Sequence, residues 1–72
     1  MKLKKYHNVW KSKDCEIISC DEKLKVLEEN LSEVNNVLQN AYDDAILIGC
    51  DESDLKKKFQ DSVNNLNFSF KK

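Results

Sequence analysis

The sequence predicts a mostly α chain: an antiparallel helical hairpin with a long helix over about residues 20–48 and a shorter one over about 52–66. A short N-terminal extended or hairpin element precedes them. Three observations carry this expectation. Leu24, Leu27, Leu31, Val34, Leu38, Ala41, Ala45 and Ile48 follow one another at alternating intervals of three and four, which holds an apolar stripe on one side of a helix. The chain has no Pro and a single Gly, Gly49, placed directly after that stripe, so few turns are signalled. Beyond the glycine, Leu55, Phe59, Val63 and Leu66 form a second apolar series at helical spacing.

The N-terminal element is the least determined. Residues 6–10 and 15–18 read as short extended stretches around the polar turn Lys11-Ser12-Lys13-Asp14, while a helix over the first ten residues fits as well. A lone two-stranded hairpin is only marginally stable, so such an element is expected to lie on the helices. The long helix has a readable start in Ser19-Cys20-Asp21-Glu22. In a capping box of this kind the serine hydroxyl accepts from the backbone N–H of the glutamate, whose carboxylate reaches back. Asp21 and Glu22 also complement the positive end of the helix dipole. Gly49 supplies a left-handed stop.

Asp51 or Ser53 is expected to cap the second helix, with Asp51, Glu52 and Asp54 in or beside its first turn. A loop this short forces the helices antiparallel. Counting back from the turn sets Leu55 against Ala45 and Ile48, Phe59 over Ala41 and Tyr42 with Ala45 beside it, and Val63 and Leu66 near Leu38 and Val34. Phe70 extends this face only if the helix reaches it. The second helix covers about half of the first, which leaves Leu24, Leu27 and Leu31 in need of another cover. Within the chain, Leu3, Tyr6, Val9, Trp10, Ile17 and Ile18 are available for that.

Seventy-two residues make one domain, with a basic and aromatic element at 1–18 and a hairpin plus C-terminal tail at 19–72. At this size one core rarely gives more than about 3–5 kcal/mol. Cys15, Cys20 and Cys50 cannot all pair within one chain and are too sparse for a disulfide scaffold, so a reduced, cytoplasmic protein is expected. The basic start is not followed by the apolar run of a secretory signal. No apolar run approaches the ~20 residues of a membrane span, and no membrane partner is expected. Cys-Asp-Glu and Val-Asn-Asn each occur twice, about thirty residues apart, which similar helix caps explain without a repeat architecture.

The net charge of −1 conceals segregation: +5 over residues 1–13, −10 over 14–55 and +4 over 56–72, with no Arg anywhere. Phosphate and guanine recognition lean on the Arg fork, so nucleic acid is not the expected partner. Ala45-x3-Gly49-x5-Leu55 partly fits a helix-turn-helix, but Asp44 and Lys58 fall where apolar residues belong. The acids Asp51, Glu52 and Asp54 would then face DNA. His7 and the three cysteines are the residue types of a zinc site at unsuitable spacing, so no metal and no cofactor are expected. Cys20 and Cys50 sit at helix N-termini, which favours the thiolate, but flanking acids oppose it and no His base is near. No catalytic constellation is present, and the chain reads as a non-enzyme.

The remaining signals point to protein contacts. Trp10 and Tyr6 stand among lysines, as in a binding hot spot or a single-strand platform, and also serve as core cover. Asp43 and Asp44 join Asp51, Glu52 and Asp54 in an acidic hairpin tip. That tip lacks the oxygen spacing of a calcium loop but offers a field for a basic partner. The expected partner-binding residues are therefore Tyr6, Trp10, Leu24, Leu27, Leu31, Asp43 and Asp44. The expected function is an interaction module, an accessory subunit or binding-type inhibitor, engaging a protein partner or forming a homodimer. The alternative is a nucleic-acid-related role, as a binder through the Lys-rich ends or as an acidic mimic.

Overall fold

The structure, a computed structural model, describes residues 8–70. Leu3, Tyr6 and His7 lie outside the described residues. Two helices dominate, α1 over Asp21–Ile48 and α2 over Glu52–Asn64, and they form the expected hairpin. The chain divides into two compact units between Val37 and Leu38.

In the N-terminal unit, residues 10–18 form a tight extended turn, while the alternative helix over the first ten residues falls mostly outside the described residues. Lys11 and Ile17 make one antiparallel bridge. Ser12 N–H donates to the Glu16 carbonyl at 2.7 Å and Ile18 N–H to the Trp10 carbonyl at 2.8 Å. The turn closes through Cys15 N–H donating to the Ser12 carbonyl at 2.9 Å. The Ser12 hydroxyl also accepts from Asp14 and Glu16 N–H at 3.2 and 3.3 Å. Serine at the first turn position is favoured for this local bonding.

Cys15 holds φ at +67°, the left-handed position that follows a type I turn in a three-residue hairpin loop. A side chain there costs roughly 1–2 kcal/mol. Cys15→Gly is therefore expected to raise the unfolding midpoint slightly, the relief of strain being partly offset by glycine's freer unfolded chain. Differential scanning calorimetry of the two proteins under reducing conditions measures it, and a lower midpoint in the variant would refute the strain argument.

α1 begins one residue later than the capping box implies. Leu24 N–H donates to the Cys20 carbonyl at 2.9 Å, and the cap is the residue whose carbonyl accepts the first helical bond. Cys20, not Ser19, therefore occupies the cap. The far end follows expectation: Gly49 has φ +105°, its N–H donates to Ile46 at 3.0 Å, and Cys50 N–H donates to Ala45 at 2.9 Å. These two closing bonds satisfy carbonyls that the last turn would leave open.

The apolar stripe splits into two rows. Leu24, Leu31, Leu38 and Ala45 are half-buried, whereas Val34, Ala41 and Ile48 are exposed, Ile48 at 85%. A strict seven-residue pattern slips by about 20° per heptad on a straight helix. The row through Leu27, Val34, Ala41 and Ile48 is thus carried away from cover as α1 proceeds. Ile48, expected against Leu55, is instead largely open to solvent.

In the C-terminal unit, Asp51 caps α2, its Oδ2 accepting from Asp54 N–H at 2.9 Å. Leu55 is 8% exposed and is the only buried residue among those described. Phe59 is half-buried and lines a groove of about 450 Å³ with Leu38 and Val63. The centre of the packing is therefore Leu55, not Phe59. α2 stops at Asn64 rather than near residue 66. Asn67 Nδ2 donates to the Asn65 carbonyl at 3.2 Å, and such local amide bonds compete with helix continuation. Leu66, past the helix end, is consequently 75% exposed and does not complete the apolar face, whereas Val63, 57% exposed, borders the groove beside Leu38 and Phe59. Phe70 lies beyond the helix and packs edge-to-face on Phe68, centroids 5.8 Å apart.

Candidate interaction surfaces

The first surface is built where the N-terminal turn meets α1. Glu28 gathers three donors from it: Trp10 Nε1 at 2.8 Å, Asn8 N–H at 3.2 Å and Asn8 Nδ2 at 3.2 Å. Hydrogen bonds to an ionised carboxylate are the strong kind. They fix Trp10 half-buried beside the helix face that carries Leu24, Leu27 and Leu31. Those three leucines are themselves half-buried. Glu28 was not among the expected site residues: one carboxylate in an acidic helix, eighteen and twenty positions from its partners, leaves no local signature.

On the other side of the leucine row, Ile18 joins Glu22, Lys23, Val26 and Leu27 around an open apolar groove of about 500 Å³. Its apolar wall runs on along α1 through Val34 and Val37. Val26, Val34 and Val37 are 56%, 51% and 67% exposed.

The second surface is the hairpin tip. Tyr42 Oη donates to Glu52 Oε2 at 2.7 Å, and Lys56 Nζ lies 5.9 Å from the Tyr42 ring centre while pairing with Glu52 at 3.2 Å. Most tip acids are engaged locally. Asp43 accepts from Gln39, Asp51 caps α2 and Asp54 holds Lys58 at 2.8 Å. Asp44 is exposed, with no bonded partner among the described residues. Tyr6, expected beside Trp10, lies outside the described residues.

The Tyr42 hydrogen bond to Glu52, followed by partial burial and nearby negative charge, raises the phenol's pKa. The same bond, followed by the bond and charge of Lys56, lowers that of Glu52. A lowered carboxylate stabilises the fold above its unfolded pKa, and the gain is lost as pH falls through the lowered value. A raised phenol stabilises below its unfolded pKa and loses the gain as pH rises through the raised value. The melting temperature of the native chain should therefore exceed that of Tyr42→Phe by a small, constant gap through neutral pH. The gap should close below the ordinary glutamate pKa of about 4.3 and above the tyrosine value of about 10. Melting curves across that range read it, and a gap unchanged at both extremes would exclude the coupling.

The three cysteines are free, Cys15 and Cys20 exposed and Cys50 half-buried. Among the described residues no three His, Cys, Asp or Glu side chains are gathered to hold a metal ion. No helix among them is long and apolar enough to cross a membrane. Fold and surfaces together define a small two-helix protein with a clamped N-terminal turn. No protein-family model, curated protein or solved structure compared with the chain matches it.

Proposed function

We propose that this chain is a non-catalytic protein-interaction module, an accessory subunit or binding-type inhibitor that engages its partner through the helical face of α1. The observation that carries this reading is the scarcity of burial. Leu55 is the one buried residue among those described, while a dozen large apolar side chains there are exposed. Contiguous exposed apolar surface marks interaction sites in soluble proteins, and a chain of this size has little other means of gaining stability. The lysines of α2 favour a protein partner over nucleic acid. Lys56, Lys57 and Lys58 each pair with an acid four residues away, so none stands as a dedicated phosphate contact. A cytoplasmic setting, where the three thiols stay reduced, belongs to the same proposal.

Light scattering at tens of micromolar, with co-purification from the native host, tests the reading. The expected result is a mass above that of one chain, or a complex that Val26→Asp disrupts. A well-folded monomer from which no partner is recovered would overturn it.

A further inference from the structure

Resting on that reading, we infer that the outer face of α1 is a docking groove for a basic amphipathic helix of a partner protein. The groove at Ile18, Val26 and Leu27 provides a seat for one apolar side chain, and Val34 and Val37 continue the stripe for anchors about two and three turns further on. Helical spacing places Glu22, Glu29 and Glu33 along one edge of this stripe. All three are exposed, and none has a bonded partner among the described residues. The acids of α2 contrast with them, since Glu52, Asp54 and Asp61 each hold a lysine one turn away. Lys23 is the one cation at the groove. The edge thus offers three uncompensated carboxylates to a helix whose apolar stripe is flanked by Lys or Arg, which electrostatic complementarity selects.

A second copy fits this face poorly. In an antiparallel two-fold pair like edges meet, so Glu29 and Glu33 of one chain would approach the same carboxylates of the other.

The probe is a fluorescein-labelled peptide of about 18 residues, leucine at helical spacing and lysine elsewhere. Its controls are a scrambled peptide of the same composition and a leucine–glutamate helix of the same pattern. Anisotropy titrations at two salt concentrations, under reducing conditions, are expected to show saturable binding of the leucine–lysine helix alone. Val26→Asp and, separately, the Glu29→Lys/Glu33→Lys double variant should each weaken binding by about tenfold or more. Ser32→Asp, on another face of α1, should leave it unchanged. All substituted side chains are exposed, and circular dichroism confirms that each variant keeps its helices.

Equal binding of the scrambled peptide would reduce the effect to charge attraction and overturn the inference. Preferential binding of the leucine–glutamate helix through Val26 would overturn the basic partner while leaving the interaction module standing. If no peptide binds and the chain self-associates, a second copy takes the face and only this inference fails. If no peptide binds and the chain is a stable monomer without partners, the inference and the module reading fall together.

Discussion

Leu55→Ala is expected to unfold the C-terminal hairpin. Truncating a buried leucine costs about 2–5 kcal/mol, depending on how far the site collapses. Leu55, at 8% exposure, is the only buried residue among those described, so little neighbouring core is present to absorb the loss. Total stability in a domain this small is itself only about 3–5 kcal/mol. The ellipticity at 222 nm should therefore fall sharply at 25 °C. Phe59→Ala should do less, because Phe59 is half-buried and already borders open space beside Leu38 and Val63. The reverse order of the two variants in a denaturant titration would mean that the helices pack in a different register.

Glu28→Ala should release the N-terminal turn while α1 persists. Three hydrogen bonds from the described residues end on this one carboxylate, and bonds to charged groups contribute about 1.5–3 kcal/mol each when well shielded, less at an exposed site such as Asn8. Trp10 is the sole tryptophan, so its fluorescence reports the event directly. The expected signature is a red shift towards water-exposed emission, with amide exchange accelerated at Ser12 and Ile18. Helical ellipticity should change little. A variant whose Trp10 emission matches the native protein would show that apolar contact, rather than the carboxylate, seats the indole.

These two residues also mark what the sequence discloses and what it withholds. Leu55 was legible because it opens a 3.6-period series just after a glycine stop and an aspartate cap, all of them local signals. The end of α1, the Gly49 turn and the Asp51 cap were readable for the same reason. Glu28 was illegible because its role depends on chain returning to it from eighteen residues away, and nothing in its neighbours distinguishes it from Glu29. The Leu24–Ile48 stripe was misjudged in a more instructive way. Its unbroken spacing implies one seam, but the slip between a 3.5 and a 3.6 repeat turns Val34, Ala41 and Ile48 outward. The end of α2 at Asn64 was hidden likewise, since Leu66 keeps the period while Asn64, Asn65 and Asn67 end the helix. At the candidate surface, sequence singled out Trp10 and the leucines but not the valine row beside them.

The turn at Gly49 carries a consequence for how this protein can be made. Its φ of +105° is natural for a mirror-image residue, and a Cβ built there meets nothing within 4 Å. The obstacle to a side chain is handedness rather than space, so D-alanine should be accepted where L-alanine is strained. Cys50 follows immediately, and a glycine–cysteine junction is a favourable seam for joining a peptide thioester to an N-terminal cysteine. The two helices can therefore be synthesised apart and ligated at their own hinge, with D-residues, labels or cross-linkers placed in either segment at will.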